Sequence, residues 1–264
     1  MMERQFTTKD AVLSYRIDGT GERPLLCIHG VGSSKEAWAD VITLLSSEYK
    51  IVTFDLRGHG QSTKIKGRYE IDHFVDDALS IADAVGFKRF HLAGFSLGGL
   101  IAQRIALMHD ERVERLYLLS TVANRTDEER SKVLARLAAL QSTERGSHYD
   151  ASMVRWFSDE FRETHPELLA ELRDRNAQND PECYAASYRV LAETDFGGLL
   201  DQIRCPTLIA TGEGDVGSNP RMAQSMHEAI RGSELHILPK LRHSILTEAP
   251  EQVANLIRNF AAEG

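Results

Sequence analysis

Short apolar, β-branched runs alternate along the chain with longer stretches whose apolar positions recur every three or four residues. The short runs lie at residues 11–17, 25–28, 50–54, 90–95, 115–120, 207–211 and 234–238, and they predict strands. The longer ones, at 36–46, 71–85, 97–109, 221–230 and 251–260, predict helices. Strand–helix alternation of this kind predicts an α/β fold. Its core is a mostly parallel twisted sheet of about eight strands with helices on both faces. The earliest strands can pair antiparallel at one edge.

Between 122 and 195 the alternation stops, and no strand pattern is present. Helical patterns run through 126–141, 152–161, 166–176 and 181–192. In the first of these, Val133, Leu134, Leu137 and Leu140 share one stripe. Asp127 and Glu128 crowd its first turn, and Pro166 and Pro181 suit helix starts. The prediction is therefore a core made of 1–121 and 196–264, with four helices inserted over 122–195. An insertion at the strand ends would cover the place where α/β sheets bind ligands, as a lid.

Composition narrows the class. A chain of 264 residues can bury a sizeable core without disulfides or a metal. Hydrophobic residues at 42% and charged residues at 27% are ordinary for a globular protein. Lys and Arg number 31 against 39 Asp and Glu, a formal net charge of -8, which argues against a nucleic-acid partner. Cys27, Cys183 and Cys205 are far apart and odd in number, so neither a disulfide framework nor a CxxC site is expected. The first ten residues lack the apolar stretch of a signal peptide, and no run reaches membrane-helix length. Without a secretion signal, the sequon Asn124-Arg125-Thr126 reads as chance. A soluble cytoplasmic protein acting on a small molecule is the expectation.

The strongest chemical signal is Gly94-Phe95-Ser96-Leu97-Gly98-Gly99. A strand pattern precedes it and a helix pattern follows, the context that a G-x-S-x-G nucleophile turn requires. A serine on such a turn has a strained backbone that pushes its hydroxyl out of the sheet. Side chains at 94 and 98 would collide with the neighbouring strand and helix. The new helix also offers free N–H groups to a developing negative charge.

A serine hydroxyl is a weak nucleophile until a base takes its proton. His109 and His227 sit on predicted helices, His91 and His236 in predicted strands, and His148 and His165 in the helical insertion. His243 instead follows the last predicted strand and precedes the last helix, so its loop can fold over the sheet's C-terminal edge. An acid must then orient the imidazole. Asp215, in Gly212-Glu213-Gly214-Asp215 after another strand, is the better placed candidate, and Glu213 is its competitor. Asp201 precedes that strand and would lie at the wrong end of the sheet. The pattern Gly212-x-Gly214-x-x-Gly217 also matches a dinucleotide fingerprint, but Glu213 and Asp215 would repel a pyrophosphate.

An oxyanion hole is the other ingredient. The strand at 25–28 ends in His29-Gly30-Val31-Gly32, and the N–H of Val31, paired with that of Leu97, can point at a carbonyl oxygen. Asp55-Leu56-Arg57-Gly58-His59-Gly60-Gln61-Ser62 reads as a glycine-rich turn whose Asp and Arg hold neighbouring loops together. No HExxH, cysteine-rich or EF-hand pattern appears, so no metal is expected.

Together, His29-Gly30, the 55–62 turn, 94–99, Asp215 and His243 resemble the α/β-hydrolase superfamily over nearly the whole chain, in the order Ser, Asp, His. The insertion is similar to that of 3-oxoadipate enol-lactonases in Val154-Arg155-Trp156-Phe157, Phe161-Arg162, His165-Pro166-Glu167-Leu168 and Asp180-Pro181-Glu182-x-Tyr184-Ala185-Ala186. The turn at 29–32 and the acid loop at 212–220 differ from theirs.

The resemblance implies a cofactor-free serine hydrolase of a small carboxylic ester or enol-lactone in aromatic-compound catabolism, with an acyl-enzyme on Ser96. Hydrolysis of C–C bonds or small amides by the same triad is the alternative. A non-catalytic ligand-binding receptor on this scaffold is the alternative of another class. For substrate contacts, Trp38 follows the oxyanion turn, and Trp156 lies in the insertion between Arg155 and Arg162. Indoles offer rigid apolar area, and guanidinium groups offer planar donors for a carboxylate.

Overall fold

The first strands form an antiparallel margin. In the computed structural model, which describes residues 3–142 and 147–262, β1 (Arg4–Thr7) pairs antiparallel with β2 (Val12–Asp18), and β2 pairs antiparallel with β4 (Tyr49–Phe54). From there inward the ladder is parallel, through β3 (Arg23–Ile28), β5 (Phe90–Phe95), β6 (Val113–Leu119), β7 (Thr207–Gly212) and β8 (Glu234–Leu238). The spatial order of the eight strands is β1-β2-β4-β3-β5-β6-β7-β8. The order reverses around β3, so β3 and β5 lie side by side, and the loops leaving them open at one end of the sheet. That is where α/β sheets place ligands.

Both faces are apolar, which is why the central strands read as near-continuous hydrophobic runs. Leu26, Ile28, Leu92, Leu116, Leu118 and Ile209 face α2 (Ile71–Ala84), α3 (Leu97–Met108) and α9 (Pro220–Ala229). Leu25, Cys27, Ala93, Tyr117, Leu119 and Leu208 alternate with them and face α1 (Ala39–Leu45) and α11 (Pro250–Ala262). Each such Leu or Ile is fully buried and contributes about 1.5–3 kcal/mol. A slip of one residue in any of these strands would exchange the two layers.

β1 was not expected. It has four residues, Arg-Gln-Phe-Thr, with only Phe6 apolar, and as an exposed edge strand it needs no buried face. The insertion between β6 and β7 also differs. A single helix was expected over 152–161, whereas α5 (Ser147–Trp156) ends and α6 (Asp159–Thr164) begins afresh. Ser158 caps the new helix, its hydroxyl accepting the Phe161 N–H at 3.2 Å. With α4 (Asp127–Ser142), α7 (Pro166–Ala177) and α8 (Pro181–Glu193), the described residues contain five inserted helices rather than four.

One carboxylate ties both ends of the insertion to the core. Asp195 accepts the N–H of Asn124 and Gly197 on Oδ1, at 2.9 and 3.0 Å, and that of Arg125 on Oδ2 at 3.0 Å. Within it, Val133 and Leu137 of α4 pack on Ala192 of α8. A short helix, α10 (Ile245–Glu248), separates the loop after β8 from α11. No helix among the described residues is long and apolar enough to cross a membrane.

Candidate active site

Ser96 stands between β5 and α3 with φ 56° and ψ -116°, a region that costs a non-glycine residue of order 1–3 kcal/mol. The neighbours over-determine it. The Ser96 N–H donates to Leu119 O at 3.0 Å, and the Thr121 hydroxyl donates to Ser96 O at 2.8 Å. A Cβ at Gly94 would lie 2.2 Å from Gly98 O, and one at Gly98 would lie 2.2 Å from Ile28 O. Only glycines let β5, α3 and the end of β3 approach this closely, and that approach forces the turn.

The end of β3 meets the same turn. A Cβ at Gly30 would lie 2.9 Å from the Ser96 Cβ, so the 29–32 loop sits directly against the serine. The N–H groups of Val31 and Leu97 take no hydrogen-bond partner among the described residues. Leu97 opens α3, where the first N–H groups have no intrahelical acceptor, while its side chain is fully buried in the core.

His29 fixes the loop from behind. It is fully buried, its Nδ1 lies 2.7 Å from Gly30 O, and its Nε2 accepts the Leu56 N–H at 3.0 Å. That pattern assigns the proton to Nδ1, and burial holds its pKa below the usual histidine value. His59 packs edge-on against it at 5.3 Å and is pushed down by burial to about 3. Both are therefore neutral structural imidazoles.

The surrounding 55–62 turn is a scaffold, as its composition suggested. Asp55 binds Lys35 Nζ at 2.9 Å and accepts the N–H of Lys35 and Gln61. Arg57 clamps Asp77 through two nitrogens, at 2.7 and 2.8 Å.

Asp215 and His243 come together at the ends of β7 and β8. Asp215 Oδ2 lies 2.7 Å from His243 Nδ1, and Oδ1 accepts the N–H groups of Gly217 and Ser218 at 2.8 and 2.9 Å. Burial alone would raise the Asp215 pKa. The adjacent His243 and the two backbone N–H groups outweigh burial and hold it below the usual carboxylate range. The bond to Asp215 places the imidazole proton on Nδ1 and leaves Nε2 as the acceptor. The ring rests against Phe95 at 5.1 Å, one residue from Ser96. Glu213 is turned away, its carboxylate accepting the Lys240 N–H at 3.1 Å.

Ser96, Asp215 and His243 line one cavity of about 410 Å³, with Gly30 and Val31 at its floor and α4, α5, α7 and α8 over it. Hydroxyl, imidazole and carboxylate in a shared cavity, beside two N–H groups that have no partner among the described residues, are the parts that acyl transfer needs. The described residues hold no cluster of His, Cys, Asp and Glu that could bind a metal ion.

Two of the expected substrate contacts are elsewhere. Trp38 is fully buried in the layer between the sheet, α1 and α11 and does not reach the cavity. The 3-10 turn Lys35–Trp38 carries its indole under the sheet, while Ala37 faces the cavity. Trp38→Ala should therefore cost about 3–5 kcal/mol of stability by chemical denaturation with KM unchanged. A raised KM at full stability would return Trp38 to the pocket.

Arg162 also lies outside the cavity. It ion-pairs with Asp159 one turn earlier on α6, a surface pair that turns the guanidinium along its own helix.

Arg155 and Trp156 do line the cavity. Arg155 donates to Ala151 O at 2.9 Å and to Ser152 Oγ at 2.7 Å. Burial and then the nearby Arg136 lower its pKa. Arg136 reaches the cavity from α4, its Nε donating to Tyr188 OH at 3.1 Å. Neither guanidinium pairs with a carboxylate among the described residues.

Arg136 was missed from sequence, yet it carried a signal. It lies three residues after Val133 and four before Leu140, a cation on the apolar stripe, and all three line the cavity. Arg125 also reaches the wall, but its guanidinium caps α8 through Leu191 O and Thr194 O, at 2.7 and 2.9 Å.

A family model described as alpha/beta hydrolase fold matches residues 23–250. The chain belongs to that family, as the sheet order, the strained Ser96 turn and the cavity position would have it.

Within the family it is similar to the (E)-2-((N-methylformamido)methylene)succinate hydrolase of Acinetobacter baylyi, at 32% identity, with 90% of each chain covered. It is also similar to 3-oxoadipate enol-lactonase 2 of the same organism, at 29% identity over 93% of this chain and 91% of the relative. The crystal structure of the enol-lactonase from Burkholderia xenovorans superposes with a TM-score of 0.92 at 26% identity, covering 98% of this chain and 100% of that one. The protein is thus an α/β-hydrolase enzyme that resembles the enol-lactonases.

Proposed function

We propose that this enzyme is a serine hydrolase of a small, carboxylate-bearing enol-lactone or ester, acting through an acyl-enzyme on Ser96. The observation that carries this reading is one cavity holding Ser96, the Asp215–His243 pair and the guanidinium groups of Arg136 and Arg155.

In the first half-reaction, His243 Nε2 takes the Ser96 proton as Oγ attacks the carbonyl carbon. The carbonyl oxygen becomes an oxyanion, held by the N–H groups of Val31 and Leu97. Such donors are worth about 3–4 kcal/mol each in the transition state. The imidazolium then gives its proton to the leaving oxygen; in a lactone this oxygen stays tethered to the acyl group. Water, deprotonated by His243, attacks the acyl-enzyme and releases the acid. Asp215 stays ionised throughout and holds the imidazolium.

The insertion over 122–195 serves as a lid. It shields the acyl-enzyme and brings Arg136 and Arg155 down on the far side of the substrate. Two like charges without a carboxylate partner among the described residues are costly in a half-buried site, and a substrate carboxylate relieves both at once.

Amide hydrolysis by the same residues is the second reading. It is favoured by the similarity to a relative whose name specifies a formamido group on a succinate. The leaving nitrogen would take the proton that a leaving oxygen takes otherwise.

A panel of lactones, esters and amides, each as free acid and neutral methyl ester, tests both readings. The free acids should be preferred. Arg155→Ala and Arg136→Ala should each raise KM for them by about ten- to a hundredfold with little change in kcat, the signature of lost uniform binding. Equal kcat/KM for acid and methyl ester, unaltered by either substitution, would leave a general apolar esterase pocket instead.

A further inference from the structure

The loop that carries His243 is bolted to the corner between α5 and α6. From the loop side, the Ser244 N–H donates to Trp156 O at 2.9 Å. The Arg242 guanidinium donates to Val154 O and, at 3.1 Å, to Phe157 O, and it pairs with Asp159 at 3.0 Å. Four residues beyond Ser244, Glu248 accepts the Ser158 N–H at 3.1 Å and the Ser158 hydroxyl at 2.6 Å.

The charges suit the helix ends. The last carbonyls of α5 have no partner in their own helix, and a cation meets them. The first N–H groups of α6 have no acceptor within their own helix, and just ahead of them the Glu248 carboxylate meets the Ser158 N–H. On its other side the loop is locked to the acid strand. The Gly214 N–H donates to Leu241 O at 2.8 Å, and a Cβ at Gly212 would lie 2.1 Å from Arg242 O. His243 therefore sits between Asp215 and the insertion, with little freedom to move relative to either.

The same corner lines the cavity. Met153, Arg155 and Trp156 face it from α5 and Phe157 from just beyond its end, and Ser244, Leu246 and Thr247 face it from the histidine side.

We infer that Arg242 and Glu248 are positioning residues, which couple the α5–α6 corner contacting the substrate to the loop that sets the place of His243. This rests on the serine-hydrolase reading. Substrate held against Arg155 and Trp156 steadies the corner, and through Arg242 the corner steadies the base. The two residues act on the reaction through His243 and touch no substrate themselves.

The test compares wild type, Arg242→Ala, Arg242→Lys and Glu248→Gln. Each is assayed with the best substrate from the panel and with a small neutral fluorophosphonate. The fluorophosphonate needs the Ser96–His243 pair but no anion contact. Arg242→Ala should lower kcat tenfold or more while KM moves less than threefold, and it should slow Ser96 labelling by a similar factor. Arg242→Lys should recover most of both rates, because an ammonium can still meet helix carbonyls. Glu248→Gln should shift both rates two- to fivefold in the same direction.

Unchanged kcat and labelling with a lowered Tm would make the clamp merely structural and overturn the inference. So would a rise in KM alone, which belongs to substrate binding. If Arg242→Ala does not fold, Glu248→Gln decides by the same readouts. Absent labelling of wild type would instead bring down the serine-hydrolase reading itself.

Discussion

Ser96→Ala is expected to lower turnover by about 10⁴- to 10⁶-fold, leaving only what the oxyanion donors and binding contribute. The substitution removes one oxygen that holds no hydrogen bond to another described residue, so no buried partner is orphaned. The turn at 94–99 is held by backbone bonds and by the glycines, and an alanine keeps all of these. Stability should accordingly change by less than about 1 kcal/mol. Fluorophosphonate should label wild type and leave the variant unmodified. Labelling that persisted in Ser96→Ala would move the nucleophile to another residue.

Asp215→Asn is expected to be nearly as damaging, about 10⁴-fold in kcat, with KM little altered. The geometry gives the reason. Oδ1 is committed to accepting the Gly217 and Ser218 N–H groups, so an asparagine must present its NH₂ to His243 Nδ1. The ring then keeps its proton on Nε2, the atom that has to accept one from the serine. Glu213→Gln is the control. Its side chain caps the Lys240 N–H away from the imidazole, and turnover should stay within threefold of wild type. A reversed outcome, with Glu213→Gln crippled and Asp215→Asn active, would show that the acid has been misassigned.

Much of this molecule is written in local patterns, and particular residues show how far those reach. The alternation of Leu25, Leu26, Cys27 and Ile28 between two buried layers makes a central strand legible without any partner. β1 was illegible for the opposite reason, since backbone pairing to β2 specifies it and Phe6 is its only apolar residue. The break between α5 and α6 was announced by a serine followed by acids, a cap signal outweighed by the apolar stripe running through it. Trp38 and Arg162 were misplaced because chain proximity to a site says nothing about which way a side chain points. A tight 3-10 turn carries one under the sheet, and an ion pair one turn away claims the other.

Local patterns were enough to read the strands β2 to β8, the alternating core helices, the position of the insertion and the strained turn at Ser96. Each depends on residues within one turn or one strand of each other, and glycine at 94 and 98 needs no distant information to be read. The sequence favoured Asp215 over Glu213 as the acid, and the packing of the strand ends supplies the contact itself. Asp215 and Glu213 are two residues apart, and only the fold of the β7 and β8 ends turns one inward and the other to Lys240. Tertiary structure also brought Arg136 of α4 beside Arg155 of α5, across residues that no local pattern joins. Distant pairings of this kind follow from how whole layers pack, because burial rewards the total apolar area covered and leaves the few polar contacts to be set by the resulting geometry.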